Sequence, residues 1–378
     1  MHSKPYDLAI VGSGILGLAH ALAALKLGLR TVVIERDARP VGASIRNFGF
    51  VTITGQRRGT SWARAKRSAQ VWAEVATRAG MEIEHRGLVV IGRRPEAMPI
   101  LESFCETEMG HGCELLSARV ARDRFPMLRP ATLAGALWSS HDLRVESRTA
   151  IPRLAAWLKS QGVDFIFSTA VRAVSPPRIE TADGTVHAGA AIVCPGDDLV
   201  TLFPQVIAAR GVRRCKLQML RLADPGFRLP GSVMSDLSLV RYRGYADLPQ
   251  SLALRTRLEQ EQPSHLAHGI HLIVVQSADG SLVVGDSHHY GVTLDPFAES
   301  AIEDLILEEL RDTLGVRPPV LERWTGTYAS ATDDMFTDAP EPAVRVVMVT
   351  GGNGASTSFA IAEETIADLF ETRQGDAA

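Results

Sequence analysis

The chain has 378 residues, 46% apolar and 22% charged, with 43 acidic side chains against 40 Lys and Arg for a net charge of −3. That length and apolar share suit roughly two to three packed domains and exclude a disordered or fibrous chain. The near balance of charge gives no global basic field, so neither nucleic acid nor an anionic membrane is an expected partner, and an anionic ligand has to be met by a local site.

In chain order, residues 7–11 read as a buried parallel strand, 15–27 as an apolar helix ended by Gly28, and 31–34 as a second strand, a β-α-β start. The uncharged run 8–25 is interrupted by Gly12, Gly14 and Gly17, which argues against a signal peptide or a membrane span. An amphipathic helix is expected over 61–79, a strand over 87–91, and helices over 95–110 and 148–159. A strand at 163–167 then leads to a hairpin turning at Asp183-Gly184, with its return through 190–193. Residues 216–291 read as strand-rich, with a second hairpin turning at Asp279-Gly280. A helix over 296–315, a buried strand over 344–350 and an apolar helix over 356–370, reached through Gly351-Gly352-Asn353-Gly354, complete the pattern. Cys105, Cys113, Cys194 and Cys215 form no C-x-x-C pair and read as free thiols of a cytoplasmic protein.

Gly12-Ser13-Gly14-Ile15-Leu16-Gly17 is G-x-G-x-x-G set between the first strand and helix, and Glu35 ends the next strand. Gly12 permits the tight turn, Gly14 lets backbone approach a pyrophosphate at the helix N-terminus, and Gly17 allows close helix-strand packing. Glu35 suits ribose hydroxyls and disfavours a 2′-phosphate, so the expected ligand is NAD or FAD.

Beyond that motif the chain resembles the D-amino acid oxidase superfamily of flavoproteins, in the branch holding glycine oxidase, sarcosine oxidase and D-amino acid dehydrogenase. The resemblance lies in the β-α-β start, Gly42-Ala43-Ser44-Ile45-Arg46-Asn47-Phe48-Gly49, Val145-Glu146-Ser147-Arg148, Ala191-Ile192-Val193-Cys194-Pro195-Gly196 and the loop 351–357. It implies an α/β fold, α+β overall, in which a Rossmann-like FAD-binding domain (1–84, 145–214 and 322–373) interleaves with a sheet-rich substrate-binding domain (85–144 and 215–321). It also implies FAD contacts at Gly12, Gly14, Ile15, Gly17, Glu35, Arg36, Ser44, Asn47, Val171, Gly196, Gly352, Gly354, Ser356 and Thr357. Independently, a glycine-lined helix N-terminus after residue 351 supplies N–H donors and a positive dipole end suited to the charge of reduced flavin.

Ile45-Arg46-Asn47-Phe48-Gly49, the segment 216–221, Gly285-Asp286-Ser287-His288-His289-Tyr290 and Thr357-Ser358-Phe359 are similar to a subgroup associated with bacterial phosphonate catabolism. This implies oxidation of 2-aminoethylphosphonate or its N-methyl derivative by hydride transfer to flavin. Imine hydrolysis would then give phosphonoacetaldehyde with ammonia or methylamine, and O2 or another acceptor would reoxidise the flavin. Where sarcosine oxidases tether FAD through cysteine this chain has Gly326, which implies noncovalent FAD. Where relatives place cations for an α-carboxylate it has Tyr328, Gly354 and Ser358. The expected substrate is therefore a small amine bearing another anion.

Candidate substrate contacts are Arg46, Tyr242, His288 and Tyr328. Arg46 serves equally well as a partner for the FAD pyrophosphate, and only one of His288 and His289 can face a cleft, each reading more readily as a surface residue. Tyr242 lies in the strand-rich segment. His265, His268 and His271 have an H-x-x-H-x-x-H spacing, but no acid or cysteine joins them in sequence, so no metal is expected. Lys216 reads as a surface lysine. The alternatives are a glycine, sarcosine or D-amino acid oxidase or dehydrogenase, and a flavin-bearing assembly or tRNA-modification subunit, which the lack of a basic stripe disfavours.

Overall fold

A computed structural model describes residues 5–375. Strand Tyr6–Val11 lies at the centre of a parallel sheet, between Thr31–Ile34, which also pairs with Asp164–Ile166, and Gly184–Val193, which also pairs with Val344–Gly351. Both faces of this sheet are covered, which explains why its strands are apolar almost without alternation. On one face Leu8, Ile10 and Val33 pack with Leu18, Trp72, Leu154 and Phe359, from helices Ile15–Lys26, Thr60–Arg78, Ser147–Ser160 and Gly354–Gly375. On the other, Ala9, Val32 and Ala191 pack with Ile179 of the hairpin Arg178–Thr181.

Strand Val320–Asp338 ties this sheet to a largely antiparallel one. Its end pairs with Val344–Gly351 (Phe336 opposite Met348), and its beginning runs along Arg213–Leu222 (Met219 opposite Trp324). From Arg213–Leu222 the sheet continues through Leu282–Gly285, Ile273–Gln276 and Ser232–Met234 to Ile83–Gly92, Gly135–Val145 and Cys113–Ser117. Helices Ala97–Cys105 and Ser251–Glu261 pack on one face and Ser300–Leu314 on the other.

The β-α-β start and both hairpins agree with the sequence reading. The strand-rich expectation for 216–291 does not hold in its middle, where Arg243–Ala246, Ser251–Glu261 and Pro263–Ala267 are helical. No described helix is long and apolar enough to cross a membrane.

Candidate active site

The strands Tyr6–Val11, Gly184–Val193 and Val344–Gly351 end at one crevice, where ligands of open parallel sheets bind. A cavity of about 480 Å³ runs from the glycine turn at Gly14 to the antiparallel sheet at Tyr328 and His271.

The glycines of the turn are enforced by packing. Gly12 has φ +101°, and a Cβ on it would stand 2.6 Å from the Cys194 carbonyl oxygen; a Cβ on Gly17 would overlap the Gly12 carbonyl oxygen. Glu35 accepts from Ser13 N and Oγ, both at 2.8 Å, and from Asp37 N at 3.1 Å, so it braces the turn from below. Arg36 is engaged with Asp198 at 2.8 Å.

Two helix N-termini border the cavity, at Gly14-Ile15 and at Gly354. Ser44 Oγ accepts from Ile15 N at 2.9 Å and so takes up one of the free donors of the first helix. The last helix is fixed from outside: Trp72 Nε1 donates to Ala355 O, and Ser356 Oγ accepts from Thr52 N. Thr52 is held in turn by Asp142, fully buried, which accepts from Thr52 Oγ1 and from the backbone of Ile53 and Thr54. The walls are cut to backbone dimensions. A Cβ on Gly14 would meet Ser44 Oγ at 3.1 Å and one on Gly352 would meet the Tyr328 ring at 3.0 Å. Such a cradle with two dipole ends fits a flat, phosphate-bearing dinucleotide.

Of the sequence-expected cofactor residues, Gly14, Ile15, Gly17, Ser44, Asn47, Gly196, Gly352, Gly354 and Ser356 line the cavity. Gly12, Glu35, Arg36, Val171 and Thr357 stand behind or beyond it. The Asn47 side chain braces its own loop, donating to Ala43 O and accepting from Gly49 N. Thr357 Oγ1 donates to Asn353 O.

At the other end, Arg46, Tyr242, His288 and Tyr328 all line the cavity. The Arg46 guanidinium makes no ion pair or hydrogen bond among the described residues, while its carbonyl accepts from Trp324 Nε1 at 3.0 Å. The surface reading of His288 is overturned. It is 7% exposed and its Nδ1 donates to Gly269 O, while His289 turns away to pair with His268 at 3.0 Å. Lys216 is likewise buried, its ammonium donating to Asp295 O and Phe297 O.

Three residues at this end escaped the sequence reading as a group. Arg241 is partly buried against the cavity and donates to the Tyr290 hydroxyl at 2.8 Å. His271 and Asp286 are buried beside His288, and ligand atoms of the three lie within 4.8 Å of one another. An acid does therefore join His271, while His265 turns to Leu305 O and His268 to His289, so the H-x-x-H-x-x-H spacing is split three ways. Burial pushes both imidazoles below their ordinary range, against the pull of Asp286. Burial pushes Asp286 up, but His288, His271 and Arg241 outweigh it and hold the carboxyl at about 2.

The family model for FAD-dependent oxidoreductases of the DAO type matches residues 7–369. The chain belongs to this family. This oxidoreductase therefore uses FAD, and the cradle described above has the donors and dimensions to hold such a cofactor. No curated protein matches the chain. Among solved structures, glycine oxidase from Geobacillus kaustophilus is similar at 20% identity and a TM-score of 0.78, covering 98% of this chain and 95% of that one. L-α-glycerophosphate oxidase from Mycoplasma pneumoniae, solved with FAD bound, is similar at 15% identity and 0.74, covering 97% and 95%. Iminodiacetate oxidase from Chelativorans sp. BNC1 is similar at 16% identity and 0.71, covering 96% and 95%. These likenesses concern the fold, a mixed α/β architecture shared over nearly the whole chain.

Proposed function

We propose that this oxidoreductase oxidises an aminoalkylphosphonate, 2-aminoethylphosphonate or its N-methyl derivative, at the carbon next to nitrogen. The observation that carries this reading is Arg241, a guanidinium on the cavity wall at the end away from the glycine turn, oriented by Tyr290 and accompanied on that wall by Arg46. A phosphonate offers three acceptor oxygens to such planar donors. Tyr328, Gly354 and Ser358, where relatives are expected to carry cations for an α-carboxylate, provide none here. The named substrates of similar folds, glycine, iminodiacetate and glycerophosphate, are small and either amines or anions, in keeping with this site.

FAD, when bound, supplies the hydride acceptor for the amine's α-carbon and passes the electrons to O2 or another acceptor. The protein's part is placement. Arg241 and Arg46 fix the anionic end, and Leu217, Ile273 and the rings of Tyr242 and Tyr328 exclude water from the reacting carbon. The N-termini at Gly14 and Gly354 favour negative charge along the cofactor. Released imine hydrolyses to phosphonoacetaldehyde with ammonia or methylamine. Gly326 on the cavity wall leaves no thiol for a tether at that position, which supports a noncovalent cofactor.

The test is anaerobic bleaching of the flavin absorption band with a panel of amines. The two aminophosphonates are expected to bleach it at lower concentration than glycine, sarcosine or D-alanine. Equal or better bleaching by the carboxylates overturns the phosphonate reading in favour of an amino acid oxidase or dehydrogenase.

A further inference from the structure

We propose that His271, Asp286 and His288 form a site for one divalent cation of the zinc class at the inner end of the cavity. Three observations carry it.

The first is the spacing of the donor atoms. His271 Nε2 stands 3.1 Å from Asp286 Oδ1, and His288 Nε2 stands 3.6 Å from Asp286 Oδ2. Ligands about 2.0–2.1 Å from a tetrahedral zinc ion are about 3.4 Å from each other; the two contacts fall either side of that value on different oxygens of Asp286, and one donor atom from each residue lies within 4.8 Å of the others, so a small turn of the carboxylate completes the set. The second is that Asp286 is buried with acceptor capacity to spare. Its Oδ1 faces only the His271 imidazole, at 3.1 Å and off the line of a well-directed hydrogen bond, and the His288 contact is too long for one. A buried carboxylate oxygen left in this state is normally explained by an ion or a water. The third is the arrangement behind the donors. His288 Nδ1 donates to Gly269 O at 2.9 Å, which leaves Nε2 with its lone pair turned toward Asp286, and Ser238 Oγ stands 3.4 Å from His271 Nδ1. Imidazoles that bind metal are commonly oriented in this way by backbone carbonyls and polar groups.

Two imidazoles and one carboxylate suit zinc or a neighbouring transition ion, and not magnesium or calcium, which take oxygen ligands. All three residues line the cavity, so a fourth coordination position opens to it. Asp286 alone does not balance a divalent ion next to Arg241, so an anionic substrate oxygen in that position completes the charge. This last step rests on the function proposed above; binding of the ion does not.

The experiment titrates the flavin-loaded enzyme, without any amine, with micromolar Co2+, whose tetrahedral d–d bands lie beyond the flavin absorption. One equivalent per chain is expected for the wild type and for the double variant His268→Gln, His289→Gln, which removes the neighbouring histidine pair. Asp286→Asn and His271→Gln should each abolish the bands while retaining flavin and thermal stability. Absence of bands in the wild type overturns the proposal whatever the variants do. So does their survival in both ligand variants, or their loss in the His268, His289 variant. Success or failure of the phosphonate reading leaves these outcomes untouched.

Discussion

Arg241 Nη2 donates to the Tyr290 hydroxyl at 2.8 Å, which holds a cation from the helical segment against a strand of the antiparallel sheet on the wall of the cavity. If this cation grips the anionic end of the substrate, Arg241→Gln removes a charge-assisted bond of about 1.5–3 kcal/mol. The Michaelis constant for aminophosphonates should then rise roughly ten- to a hundredfold. Flavin content should not change. Tyr290→Phe, which only frees the guanidinium, should have a smaller effect of the same sign.

Arg46 tests the two ends of the cavity against each other. Arg46→Lys keeps the charge and loses the planar fork. A raised Michaelis constant with flavin retained would place Arg46 on the substrate. Flavin loss on gel filtration would place it on the cofactor.

Gly17→Ala forces a methyl group into the Gly12 carbonyl oxygen, where neither backbone can retreat without moving the first helix off the sheet. The expected outcome is loss of flavin and a destabilisation of about 1–3 kcal/mol, read by denaturant unfolding of the apoprotein. Glu35→Lys should weaken flavin binding by a related route, because it removes the acceptor for Ser13 as well as the expected ribose contact.

Acid precipitation should release all of the FAD into the supernatant. A yellow pellet would show a covalent link and would direct attention to Cys194, the cysteine among the described cavity-lining residues.

His20 supplies a pH dependence of stability. It is fully buried, and burial pushes its imidazole from 6.5 down to about 4, with the Leu16 carbonyl pulling weakly the other way. Above pH 6.5 both folded and unfolded chains hold it neutral. As pH falls toward 4 the unfolded chain takes up a proton that the fold refuses, so stability falls by about 1.4 kcal/mol per pH unit. Unfolding free energies at pH 7 and 5 should differ by about 2 kcal/mol from this group. His20→Leu should remove that part of the slope.

The cofactor half was legible because its signals are local: a glycine turn between a strand and a helix, an acid at the end of the next strand, a second glycine turn before the last helix. The substrate half was not. Arg241, His271, Asp286 and His288 come from a short helical turn, a strand lead-in and the end of a hairpin strand, and they meet only once the antiparallel sheet has formed. Gly269 and Leu272 both take positive φ, which breaks the regular spacing that made the three histidines look like one set. The stretch 243–267 misled for a related reason, since its helices are short and bury only scattered positions such as Leu254 and Leu258. Lys216 shows that a strand lysine can be buried when two carbonyls receive its ammonium.

The cavity is walled by Gly14 at one end of the chain and by Gly354 at the other, and the central strands bring residues 6–11, 184–193 and 344–351 side by side. On a ribosome these segments emerge in that order, so the nucleotide turn is made long before its opposing helix exists. A nascent chain cannot close the cradle until residue 358 has left the exit tunnel, and flavin capture is therefore a late event in biosynthesis. The last helix then docks on the first helix and on Thr60–Arg78, elements that are already in place when it is made.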